Sequence, residues 1–295
     1  MLIHHRSTPV PPARVVILGA QGFVGKASAA RLAARGVATL PLGRGDLDLL
    51  AADASDKLRG LLKPDDALLV IAAKAPCKDT AMLLDNIRMM QAVCAALEAA
   101  PVAHVVYVSS DAVYRDSDGP LTEESCAEPG SLHGAMHLAR EVMLKSVVKA
   151  PLAVLRPSLL YGAADPHNGY GPNRFRRLAA AGEEIVLFGE GEERRDHVLI
   201  DDVAELIARV LLHRSAGTLN IATGEVHSFR AIAEQTIALA KAPVALRGSP
   251  RQGAMPHNGY RPFDPAATRR AFADFRYTPL AEGLAKAWRD AAHRS

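Results

Sequence analysis

Two histidines four residues apart, His133 and His137, stand in the segment Leu132-His133-Gly134-Ala135-Met136-His137-Leu138-Ala139-Arg140-Glu141. The segment reads as helix, so the spacing puts both imidazoles on one face, a turn apart. Imidazole titrates near pH 6.5, so such a pair can exchange protons near neutrality without a cationic neighbour to tune it. H-x-x-x-H also offers two metal ligands. The glutamate of a zinc-protease helix is missing, however, and no third ligand accompanies the pair, so no metal is expected.

A second constellation, Gly19-Ala-Gln21-Gly22-Phe23-Val24-Gly25, lies between an apolar run (Arg14–Leu18) and an alanine-rich helical stretch closing at Gly36. Gly19 allows a tight turn, Gly22 lets backbone approach a pyrophosphate, and Gly25 lets helix pack on strand. The helix N-terminus then presents free N–H groups to that anion. A nicotinamide dinucleotide held from Gly19 to Gly25 follows. About 20 residues on, where an acidic residue would take the ribose 2′-hydroxyl, the chain has Gly43-Arg44. An arginine there favours NADP over NAD, the competing reading being an arginine on an ordinary solvated turn.

The elements that must position these groups follow from the apolar pattern. Strands at 14–18, 37–42, 67–72, 102–109 and 151–155 alternate with helices at 23–35, 80–99 and 132–148, which predicts a parallel sheet covered on both faces. After Gly162 comes a turn-rich loop (163–173), then shorter elements, among them 184–189 and a helix over 202–213. The expected organisation is a disordered, proline-rich arm (1–13), a Rossmann-type doubly wound domain (14–162), and a smaller substrate lobe (163–295) interleaved with it. Apolar residues make up 49% of the 295, and the net charge is +3 with both signs interspersed, so neither a nucleic-acid nor a membrane surface is indicated. No run approaches about 18 apolar residues, and the opening residues lack a signal peptide's apolar stretch, so a cytoplasmic protein is expected. Cys77, Cys94 and Cys126 form no C-x-x-C pair and read as passive thiols.

Further segments match one pattern in order. They are Asp48-Leu49, Ala72-Ala73, Asn86, Val108-Ser109-Ser110-Asp111-Ala112-Val113-Tyr114, Leu155-Arg156-Pro157 with Tyr161-Gly162, and Arg195-Asp196 through Asp202. From about residue 14 to 290 the chain resembles the extended short-chain dehydrogenase/reductases, in particular the NAD-dependent epimerase/dehydratase group acting on nucleotide sugars. The resemblance implies that Asp48 and Leu49 edge the adenine, and that Ala72, Ala73, Ala75 and Ser109 line the cofactor. It implies that Ser110 hydrogen-bonds the reacting oxygen. The family's Y-x-x-x-K would fall on the helix where this chain has His133 and His137. His133 would then be the general acid/base and His137 a ribose or proton-relay partner in hydride chemistry of the epimerase, dehydratase or ketoreductase kind. Alternatives stay open: a silent dinucleotide-binding module, or a His133 that holds substrate while water or Ser110 moves the proton. On the substrate side the resemblance implies Asp111, Asn173 against the sugar nucleotide, Val186 and Phe188 against its base, and Arg195 and Arg261 against the diphosphate. Leu159 departs from the asparagine of many relatives. A homodimer through the helices near 81–99 and 132–148 is implied as well.

Overall fold

The computed structural model describes residues 2–293. A two-residue strand, β1 (Ile3–His4), opens it. Then β2 (Val15–Leu18), α1 (Phe23–Ala34), β3 (Thr39–Leu42), α2 (Ala54–Leu61) and β4 (Ala67–Val70) alternate. The alternation continues through α3 (Thr80–Ala99), β5 (His104–Val108), α4 (Leu132–Val147) and β6 (Leu152–Pro157). Every residue of β2, β4 and β5 is buried, as strands covered on both faces must be. From there β7 (Leu159–Tyr161), α5 (Pro172–Ala181), β8 (Ile185–Phe188), β9 (Arg194–Leu199), α6 (Ile200–Leu212) and β10 (Ser215–Ile221) follow. The chain ends with β11 (Val226–Ser228), α7 (Phe229–Ile237), β12 (Leu246–Ser249), β13 (Tyr260–Arg261), α8 (Ala266–Ala271) and α9 (Leu280–Ala292).

The main sheet runs β1-β10-β6-β5-β4-β2-β3, parallel throughout except for β1 at its edge. The chain steps from β2 outward to β3, then returns past β2 to β4, so strand order reverses there. A Rossmann-type, doubly wound sheet results, and its ligand crevice belongs at the strands' C-terminal ends beside that reversal. Alternation of side chains makes two cores. Val15, Ile17, Val106 and Leu155 face α1 and α6, while Val16, Leu18, Tyr107 and Val154 face α2, α3 and α4. A third core, with Tyr161, Phe175, Leu187, Phe229 and Ile232, builds the smaller lobe. No described helix is long and apolar enough to cross a membrane.

One expectation is overturned at the start of the chain. Residues 1–13 were expected to be disordered. Instead β1 pairs antiparallel with β10, Arg6 N–H donates to His213 O at 3.0 Å, and Val10 N–H donates to Leu212 O at 3.0 Å. The cause is side-chain chemistry on an open sheet edge. His4 bonds Ser215 Oγ at 2.7 Å and Ala271 O at 2.8 Å, and its ring stacks on His213 at 4.6 Å.

Candidate active site

A cleft of about 860 Å³ opens along the C-terminal ends of β2, β4, β5 and β6 and continues under the smaller lobe. Its first half is lined by Gly19, Gln21, Gly22, Phe23, Val24, Arg44, Asp48, Leu49, Ala72, Ala73 and Ala75, the residues expected to hold a dinucleotide. The turn fits that ligand physically. Gly19 has φ +89°, and a Cβ there would sit 2.7 Å from Ala72 N; one on Gly25 would meet Gly19 O at 2.2 Å. Any side chain would therefore lift the turn off the sheet. Helix α1 starts at Gly22 with no side-chain cap and no acidic residue in its first turn, so its N-terminal amides and dipole remain available to an anion.

The ribose end is less one-sided than the sequence suggests. Arg44 is 76% exposed and reaches Asp48 Oδ2 at 3.4 Å, while Asp46 accepts from Gly43 N–H at 2.8 Å. Two carboxylates thus sit beside the arginine, and the Leu50 N–H bonded to Asp48 holds that carboxyl below its ordinary range. Ser109 lines the cleft, but its hydroxyl points elsewhere. It donates at 2.6 Å to Glu141, whose carboxylate also takes a two-pronged bond from Arg156 at 2.9 and 2.6 Å. Asn86 works in the same structural way, bonding Lys74 N at 2.9 Å and Lys74 O at 3.0 Å to hold the strand end beside the cofactor wall.

Ser110 follows β5, and His133 sits one residue into α4. What brings them to one wall is Gly134. A Cβ on it would lie 2.0 Å from Ala112 O, so only glycine lets α4 pack onto the turn that follows Ser110. Ser131 caps that helix by accepting from Gly134 N–H at 3.1 Å. Ser110 Oγ accepts from Ala112 N–H at 3.1 Å and lies 3.4 Å from Asp111 Oδ1. His133 Nδ1 accepts a long bond, 3.4 Å, from Cys77 N–H. Its ring meets His137 edge-on at 4.7 Å between centroids, so the expected juxtaposition is present.

Burial pushes the His133 imidazole below its ordinary value, with Asp111 opposing. His137 is driven further down, by burial first and then by His133 and Arg140. Both rings are therefore neutral at neutral pH. An imidazole pair needs no cationic neighbour to exchange protons near neutrality, yet Arg140 acts on His137 as one. His137 also lines the cleft, but its Nδ1 is 2.7 Å from Tyr107 Oη in the core, which ties it to the protein interior.

On the substrate side the structure redistributes the expected roles. Asn173 uses its amide within the chain, accepting from Gly162 N–H at 3.0 Å and donating to Leu160 O at 3.2 Å. Val186 and Phe188 do not line the cleft. Phe188 is 53% exposed and stacks on Tyr170 at 4.5 Å, and it is Tyr170 that reaches the cleft. Their strand β8 pairs in parallel with β12, and its Ile185 and Leu187 turn into the smaller lobe's core. Arg195 and Arg261 do line it, with their forks filled from within. Arg195 pairs with Glu193 at 2.5 Å and donates to Pro256 O at 2.6 Å. Arg261, 3% exposed, takes Asp111 at 3.0 Å and Asp116 at 2.8 Å. Asp111 is thus an arginine partner as well as a cleft residue. His167, His197 and His257 also line the cleft, and no spacing pattern marks them in the chain. Burial pushes His197 down to about 3.

Comparison with known proteins places this geometry. The model of the family described as "NAD dependent epimerase/dehydratase family" matches residues 15–222. The chain is 29% identical over 254 residues to a UDP-glucose 4-epimerase of Mycolicibacterium smegmatis, covering 74% of this chain and 79% of that one. Among solved structures, a GDP-L-fucose synthetase from Naegleria fowleri bound to NADP superposes with a TM-score of 0.84 at 17% identity, over 100% of this chain and 98% of the other. A Thermus thermophilus UDP-glucose 4-epimerase in complex with NAD gives 0.81 at 21% identity, over 95% and 99%.

Proposed function

The chain belongs to the NAD-dependent epimerase/dehydratase family, and from that premise we propose an NAD(P)-dependent enzyme that epimerises, dehydrates or reduces a nucleotide-linked sugar, with Ser110 on the reacting oxygen and His133 as proton carrier. The observation that carries the reading is the Gly134 contact, which packs the start of α4 against the turn after Ser110 and so sets His133 on the wall with it. A nicotinamide coenzyme bound along the first half of the cleft would take up the hydride and then give it back. Ser110 would donate a hydrogen bond from its hydroxyl to the sugar oxygen, giving up only a 3.4 Å contact to Asp111. His133, neutral before the reaction, accepts the proton of the oxidised hydroxyl. Acting through Nε2, it gives up the long Cys77 contact, a small cost for so weak a bond. The protonated ring is then a strong acid that returns the proton as the carbonyl is reduced.

Among the relatives, names and titles specify UDP- and GDP-linked sugars, which supports this substrate class. A diphosphate would displace Pro256 O from Arg195 and Asp116 from Arg261 as it enters. Arg44 supports NADP, and the exposed Leu84 (55%) and Val142 (58%) on α3 and α4 support a homodimer through those helices.

A second reading is a dinucleotide-binding module without turnover, and the carboxylate-filled arginine forks favour it. One experiment separates the two. The protein is mixed with NAD or NADP and a panel of UDP- and GDP-sugars, reduced nicotinamide is followed by absorbance, and products are resolved by chromatography. Turnover lost in His133→Ala supports the enzyme; coenzyme binding with no turnover on any sugar supports the module. An unaltered melting temperature with both coenzymes rejects both.

A further inference from the structure

An arginine in a protein interior normally meets a carboxylate, because an uncompensated buried charge is costly. Arg140 is 0% exposed, and among the described residues no ion pair reaches it. The carboxylate beside it in the chain, Glu141, is taken by Arg156 at 2.6 Å, Ser109 at 2.6 Å and Lys145 at 3.5 Å. The Arg140 guanidinium has one strong acceptor, the Ala72 carbonyl at 2.6 Å. Met136 Sδ lies at 3.7 Å, the Tyr107 ring centroid at 5.3 Å, and Nε has no partner. Nothing in the packing of α4 on the sheet requires a charge there.

Its neighbours give the charge a purpose. Ala72 lies two residues past β4, where the glycine turn packs, as the 2.7 Å approach of a Gly19 Cβ to Ala72 N shows. His137 lies one helical turn before Arg140 on the same face. Tyr107, under the guanidinium, bonds His137 at 2.7 Å, and His137 meets His133 at 4.7 Å. Where the family resemblance expects a lysine, at 137, this chain has a neutral ring, and a permanent cation sits one turn further on.

We infer that Arg140 is the fixed positive charge of this site, a positioning residue that acts on the His137 imidazole by its field and on the dinucleotide cradle through the Ala72 carbonyl. The catalytic consequence rests on His133 as the proton carrier; the charge itself does not. The groups facing the pair are few. They are Tyr107 from β5, Cys77 ahead of α3, Asp111 after β5 and Arg140 on α4, while Cys94 on α3 faces Arg140 and Glu141 faces Tyr107. Asp111 draws a proton toward His133. On His137 the field of Arg140 and the neighbouring ring both act against protonation.

The test is an NMR titration of isotope-labelled histidine in the coenzyme-free protein, for wild type, Arg140→Gln and Arg140→Lys. Glutamine keeps a donor for Ala72 O and removes the charge. The His137 midpoint is expected to rise by roughly one pH unit in Arg140→Gln and to return toward the native value in Arg140→Lys. A folded Arg140→Gln protein with the native midpoint overturns the inference, as does a lysine variant that behaves like glutamine. Should Arg140→Gln fail to fold, wild type alone decides: a His137 that titrates at or above about pH 6.5 removes any field effect. Neither coenzyme nor sugar enters the titration, so its failure is distinguishable from failure of the proposed reaction.

Discussion

Acid should unfold this protein earlier than its carboxylates alone would require, because two histidines far from each other are buried neutral. Burial pushes His104 down to about 4 and His197 down to about 3. An unfolded histidine titrates near 6.5, so below that pH the unfolded chain binds protons that the native state refuses. Their contribution is therefore complete above about pH 6.5 and is lost as pH falls toward the native values. At pH 5 each refused proton costs about 2 kcal/mol, about 4 kcal/mol for the pair relative to pH 8. For a chain of this size that corresponds to a melting temperature lower by on the order of 10 °C. Asp196 and Asp202, raised by burial, recover part of this as pH nears 5. The assay is a set of urea or thermal melts at steps from pH 8 to 5, repeated for His104→Gln. His104 Nε2 lies 2.7 Å from Ser215 O, a bond that glutamine can also make, so the variant keeps the contact and deletes the titration. Its loss between pH 8 and 5 should be smaller by about 2 kcal/mol. A flat wild-type profile over that range, or a variant with the wild-type slope, would refute the reasoning.

Three further outcomes are expected. Gly134→Ala would force its methyl against Ala112 O, so it should cost at least about 2–3 kcal/mol in denaturant melts and weaken any sugar-dependent activity more than coenzyme binding. Arg44→Ala should lower affinity for NADP about tenfold while changing NAD little, as read by fluorescence titration with each coenzyme; equal losses for both would place Arg44 outside the ribose site. Leu84→Glu on the exposed face of α3 should turn a dimer into a monomer in light scattering, and a wild-type monomer at working concentration would dispose of the interface.

Much of the fold was legible because periodic burial leaves a trace in the residues. Runs such as Val15–Leu18 and Ala67–Val70 are apolar throughout, and only a doubly covered sheet wants that. The glycine turn was equally plain, since its three glycines answer to contacts within one βα unit. Contacts between distant segments left no such trace. The pairing of β1 with β10 depends on His4 finding Ser215 across more than two hundred positions. Arg261 meets Asp111 and Asp116 only after folding, so its reading as a free phosphate fork missed the partners that already fill it. Phe188 carries a periodic apolar signal but packs outward on Tyr170, which the pattern cannot distinguish from a cleft-lining position. Arg140 was in view beside His137 throughout. Its burial was the missing fact, and burial of one long polar residue is decided by the sheet it packs on.

A phenol and an imidazole make opposite demands on a neighbouring cation. A phenol near pKa 10 must become an anion to accept a proton at neutral pH, and a positive charge helps it. Imidazole accepts a proton by becoming a cation, so the same charge weakens it as a base and sharpens its conjugate acid. Lowered by burial, with Asp111 opposing, His133 should remain an available base below its ordinary range, while its protonated form passes the proton back quickly. The sugar-dependent rate, followed as kcat/KM against pH, should therefore hold on the acid side to below the ordinary imidazole midpoint of about 6.5. A tyrosine-like profile, rising only above neutrality in the native enzyme, would mean that the proton is carried by a group other than His133.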